Sequence, residues 1–125
     1  MRRLAIVALT SILLTIPPPA LAASYTLIAF DVPFPDVTFT AASGINDRGE
    51  IVGVYCEGPV GGACRPHGFH YHDARFSTFD APFAGITATR AFGINNRGQI
   101  VGLFFEDGRA RAYVATWVNG APRAK

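Results

Sequence analysis

Charge is scarce in this chain, and neither sign dominates. Its 125 residues hold 11 Lys and Arg against 9 Asp and Glu. Arg2 and Arg3 lie in an N-terminal leader, so the remainder carries 9 of each sign. A neutral surface with interspersed charges cannot displace the counterions of a phosphate backbone, which excludes nucleic acid as a partner. Sustained 3.6-residue apolar periodicity is also missing, and with it any reason to expect helices beyond the leader. Cysteine and histidine are few, at 2 and 3 residues. Cys56 and Cys64 have no Cys or His companions at zinc spacing, so they read as a local disulfide of an oxidising compartment rather than as metal ligands. Closing so short a loop is expected to stabilise by roughly 2–3 kcal/mol. No Gly-x-Ser-x-Gly elbow, P-loop or dinucleotide fingerprint occurs. Ser24, Ser43 and Ser77 have no base partner evident in the sequence, and the Gly93 to Gly98 segment lacks the Lys-Ser or Lys-Thr that a phosphate loop requires.

What is present begins with export. Arg2 and Arg3 precede an apolar run, Leu4 to Ile16, interrupted only by Thr10, Ser11 and Thr15. Pro17, Pro18 and Pro19 end any helix, and Ala20-Leu21-Ala22 supplies the small-x-small pattern that signal peptidase accepts. The run is 13 residues, about 20 Å of helix, short of the roughly 30 Å hydrocarbon core. Residues 1–22 are therefore expected to be a cleaved helical Sec-type signal peptide rather than an anchor. Residues 23–125 are expected to be one secreted, extracellular or periplasmic domain with no membrane attachment.

The mature part is rich in Phe, Val, Ile, Thr and Gly, which favours short strands and tight turns. Its strongest feature is a duplication. Gly44-Ile45-Asn46-Asp47-Arg48-Gly49-Glu50-Ile51-Val52-Gly53 returns 49 residues later as Gly93-Ile94-Asn95-Asn96-Arg97-Gly98-Gln99-Ile100-Val101-Gly102. The same offset carries Phe30, Asp31, Pro33 and Phe34 onto Phe79, Asp80, Pro82 and Phe83, and the ungapped stretch 30–53 shows 15 identities in 24. Chance pairing would give about one or two. Asn46 and Asn95 can bond backbone two residues on, and Gly49 and Gly98 can take the left-handed conformation that closes a hairpin. Strands are expected near Ala41–Asn46 and Glu50–Tyr55, then near Arg90–Asn95 and Gln99–Phe105. The apolar residues after each turn predict strands covered on both faces, and Gly53 and Gly102 predict close approach of a backbone or ring. His67–Tyr71 and Arg75–Asp80 complete the first unit across a turn at His72-Asp73-Ala74. Arg111–Trp117 does so in the second, followed by a Val118-Asn119-Gly120 turn. The first copy carries five extra residues, within Glu57 to Pro66.

The succession Gly-Ile-Asn, turn, Ile-Val-Gly, His-Gly-Phe and Phe-x-x-Phe-Asp-x-Pro resembles the HAF repeat family of bacterial extracellular proteins. That resemblance spans roughly Tyr25 to Asn119 and implies a secreted β-repeat protein similar in layout to propeller blades; it carries over no catalytic residues. The expected fold is all-β: two tandem four-stranded antiparallel units, repeat 1 about 30–78 and repeat 2 about 79–125, the last strand truncated. They form an incomplete propeller or an open pair of sheets, because a closed ring typically takes at least four blades.

Three groupings suggest chemistry. His70 and His72 share one strand face and are the candidate metal ligands, with His67 on the other face. A His-Gly-Phe strand bearing two exposed imidazoles accounts for them equally. Asp31 and Asp80 sit in equivalent places, where a strand-ending Asp bonding its own turn is the simpler reading. Asn46-Asp47 and Asn95-Asn96 lack the carboxylates of a calcium loop. Tyr55, Tyr71, Phe104, Tyr113 and Trp117 either fill a core or line a concave surface that stacks on sugars or peptide side chains. The expected function is a non-enzymatic structural or binding module for a protein or glycan, without cofactors, able to self-associate through open sheet edges. The alternatives are a secreted metal-dependent hydrolase using the His67–Asp73 segment and a truncated fragment of a longer repeat protein.

Overall fold

Each Asn-x-Arg-Gly turn folds back a pair of strands rich in β-branched and aromatic residues, and the chain repeats this arrangement twice. The structure, a computed structural model, describes residues 24–118 and 121–124. The expected signal helix, its cleavage site and the Asn119-Gly120 part of the last turn lie outside the described residues. Strands β1 (Val37–Ile45), β2 (Ile51–Glu57), β3 (Arg65–His72) and β4 (Arg75–Phe79) form one antiparallel sheet in sequence order. Strands β5 (Ile86–Ile94), β6 (Gln99–Glu106), β7 (Arg109–Val118) and β8 (Ala121–Ala124) form a second, separate sheet in the same order. Among the described residues there is no helix, and so none long and apolar enough to cross a membrane.

The two turns are built from the same bonds. Asn46 Oδ1 accepts from the backbone N–H of Arg48 and of Glu50, each at 3.0 Å. Asn95 Oδ1 does the same for Arg97 and Gln99, again at 3.0 Å. Gly49 and Gly98 have φ of 74° and 73°, the left-handed conformation in which a side chain costs energy. The outer strands begin earlier than the sequence suggests, at Val37 and Ile86. Register shifts at matching places, Val37/Phe39 and Ala42/Gly44 against Ile86/Ala88 and Ala91/Gly93, absorb one residue each. Bulges of this kind blur the two-residue alternation by which a strand is recognised. The five-residue difference falls between β2 and β3. There the Cys56–Cys64 disulfide, with Cα atoms 5.3 Å apart, closes the loop. In the second sheet a tight Asp107-Gly108 turn, φ 48° and 77°, joins β6 to β7 instead.

The sheets stack through β5, which lies over β1, β2 and β3. Between them Val52 and Phe79 from the first sheet meet Ala91, Ile100 and Ala115 from the second, with Ile94 and Tyr113 at the margin. Tyr55 and Phe69 face the other way and are covered by the segment before β1, through Val32 and Phe34. That cover repeats. The rings of Phe30 and Phe69 are 6.4 Å apart and near perpendicular, as are those of Phe79 and Tyr113 at 6.3 Å. The turns stack directly on their counterparts. Asn46 Nδ2 donates to the Asn95 carbonyl at 3.1 Å, and the Asp47 N–H donates to Asn96 Oδ1 at 2.9 Å.

Candidate functional site

Where the seam between the sheets opens, side chains from both repeats line a cleft of about 690 Å³. Strand β3 contributes His70 and His72, the following turn Asp73, and β4 Arg75 and Ser77. Glu50 enters from the first Asn turn and Trp117 from β7 of the second sheet. The alternation of β3 places His70 and His72 on one face and turns His67 to the other.

Glu50 is the centre of this cluster. Its Oε2 accepts from Asn46 Nδ2 and from Arg48 Nε and Nη2, the latter two at 3.1 and 2.7 Å. Its Oε1 lies 3.7 Å from His70 Nε2 and 3.9 Å from His72 Nε2. Burial pulls the Glu50 carboxyl upward, but the hydrogen bonds from Arg48 and Asn46 and the charges of Arg48 and His70 outweigh it, so its pKa is lowered. His70 is buried, contrary to the expected pair of exposed imidazoles; only His72 is substantially exposed. The His70 ring lies 4.4 Å from the Trp117 indole, and the second sheet covers it because the sheets stack over this face of β3. Burial lowers the His70 pKa; the Glu50 charge opposes that shift, and His72 and Arg48 add to it. Its Nε2 has no hydrogen-bond partner.

Both groups have folded-state pKa values below their ordinary ones, so the unfolded chain binds more protons and acid favours unfolding. The stability that His70 contributes is complete above its ordinary value of 6.5 and is lost as pH falls through its lowered value. The contribution of Glu50 is lost next, below its ordinary value of 4.5. Urea melts are expected to show stability falling as the pH drops below about 6.5. A His70→Phe variant is expected to lack that first decline; the same slope in both proteins would contradict the assignment.

The remaining expected residues fall elsewhere. His67 stacks on Tyr55 at 5.2 Å and holds the Asp80 carboxylate through Nδ1 at 2.8 and 3.0 Å. Asp80 therefore bonds a neighbouring strand rather than its own turn, since the β3–β4 pairing brings its carboxylate to His67. Asp31 is exposed. Among the described residues no group of three or more His, Cys, Asp and Glu side chains is arranged to hold a metal ion. Tyr55 and Phe104 are core, whereas Trp117 lines the cleft. Gly44 and Gly93 meet across the seam, and Asn46, Gly49, Asn95 and Gly98 build the stacked turns.

No family model, curated protein or solved structure matches the chain.

The role of Glu50 was not apparent from the sequence. The signal was a difference between copies: Glu50 and His70 occupy places where the second repeat has Gln99 and Val114. Ser77 stands opposite His70 in the β3–β4 register, yet His70 Nε2 has no hydrogen-bond partner there. The arrangement offers an aromatic ring beside donors and acceptors of both signs. A nucleophile with its base aligned is not among its features.

Proposed function

We propose that the chain is a non-enzymatic, secreted β-repeat module, blade-like in its units, that binds a protein or glycan partner at the Trp117 cleft. The observation that carries this is the indole beside His72, Asp73, Arg75 and Ser77 in an open cleft formed by both repeats. An aromatic face ringed by hydrogen-bonding groups suits the apolar face and hydroxyl rim of a sugar, or a polar peptide side chain. The Cys56–Cys64 disulfide supports an oxidising compartment, in keeping with the leader. The resemblance to HAF repeat proteins agrees with a binding or structural role.

Glycan-array and pull-down screening of the exported protein tests the reading. A bound partner is expected, and Trp117→Ala is expected to weaken it at least about tenfold, the effect of losing one buried aromatic contact. Binding that survives Trp117→Ala would remove the cleft from the proposal. For the hydrolase alternative, metal analysis of the same material decides: a metal-free protein would end it.

A further inference from the structure

The two repeats place equivalent residues in unequal surroundings, and the inequality has a direction. On the face of the first sheet that meets the second, Val52 is 0% exposed, while its counterpart Val101 is 48% exposed. The residue paired with Val52 is His70, at 1%; the residue paired with Val101 is Val114, at 45%. On the opposite faces the imbalance reverses. Ala91 is 0% exposed and Ile94 packs into the seam, whereas Ala42 is exposed and Ile45 is 67% exposed. One chain thus leaves part of each half of its own seam uncovered, at opposite ends of the stack: Val101 and Val114 on the second sheet, and Ala42 and Ile45 on the first, beside the area that Phe30 and Val32 cover.

The uncovered halves are also shaped to meet. At the seam Gly44 and Gly93 bring two backbones together: a Cβ on Gly44 would lie 2.9 Å from Gly93 Cα. A Cβ on Gly93 would meet nothing closer than the Val101 side chain at 3.6 Å, so the same close approach is open on the outer side of the second sheet. Within the chain Val52 belongs to a cluster with Ile94, Ile100 and Ala115. The counterparts of these three are Ile45, Ile51 and Tyr71. Ile51 and Tyr71 line an apolar groove of about 330 Å³ together with Ile28, Phe30 and Phe76.

We infer that the protein associates head to tail with a second copy, the Val101–Val114 face of one docking on the Ala42–Ile45 face of the next. The contact repeats the intramolecular seam between copies, and it uses sheet faces rather than sheet edges. A second copy is the occupant because each uncovered face matches a surface that this chain already buries against itself. Such a contact is heterologous, so successive additions close a ring or extend a filament. It holds independently of what the Trp117 cleft binds.

Sedimentation velocity on the exported protein across the micromolar range is expected to show species of two or more copies. Val101→Glu and Ile45→Glu each alter one face at an exposed position and are expected to sediment as folded monomers. Mixed in equal amounts, they are expected to form a dimer and nothing larger, because one intact face survives on each. Val114→Lys and Ala42→Arg repeat the design should either first variant lose its circular dichroism. A wild-type protein that stays monomeric, variants that assemble alone, or a mixture that does not pair would each overturn the inference.

Discussion

Gly53→Val is expected to abolish the fold. A Cβ at that position would run into the Ala41 carbonyl oxygen and would lie 2.7 Å from the Phe69 ring. The oxygen belongs to the neighbouring strand β1, so relief requires breaking the β1–β2 ladder beside its bulge. Overpacking in a core that can adjust costs about 1–3 kcal/mol. Here the obstacle is backbone, and a loss above about 4 kcal/mol is expected, most of the stability of a domain this size. Gly102→Val is expected to act alike, against the Arg90 carbonyl oxygen and the Tyr113 hydroxyl. Gly49→Ala is the contrast. Nothing lies within 4 Å of its Cβ, and the φ of 74° alone sets the cost, about 1–2 kcal/mol. Thermal melts by circular dichroism rank the three variants; Gly53→Val melting near the wild type would show that the strands yield more than the close approach implies.

Phe69→Ala is expected to cost about 3–5 kcal/mol, the range for emptying a fully buried aromatic site. Phe69 has no exposed surface and lies in a cluster of rings with Phe30 at 6.4 Å and Phe76 at 5.9 Å. Tyr71, also near Phe30, fills the adjacent space, so the surroundings have little freedom to collapse. In a domain of about 100 residues each kcal/mol moves the midpoint by roughly 4–8 °C, so a fall of some 12 °C or more is expected. Tyr113 is the counterpart in the second sheet, half-buried, with its hydroxyl donating to the Arg90 carbonyl at 3.0 Å. Tyr113→Ala is expected to cost less. Equal losses would mean that the two covers, Phe30 and Phe79, contribute alike despite their different burial.

Much of this was legible along the chain because duplication is a local signal. The recurrence of Asn46 and Asn95 with a glycine three residues on carries its own turn chemistry, and the closely spaced cysteines carry theirs. The early starts of β1 and β5 were hidden by bulges that break the alternation of facing residues. The burial of His70 and the pairing of His67 with Asp80 depend on which strand lies beside or above another, and neither spacing nor composition records that. Comparison of one repeat with the other held a further clue, since Glu50 and His70 are changed together in the second copy.

By itself the sequence determined that two like units exist, that each is a run of short antiparallel strands, and where their turns and the disulfide fall. Those features follow from backbone conformation and short-range bonding, which a residue carries wherever it sits. Only the tertiary structure decided which face of each sheet is covered. Burial depends on the partner surface, and of the identical valines at 52 and 101 only the first has the other sheet stacked on it.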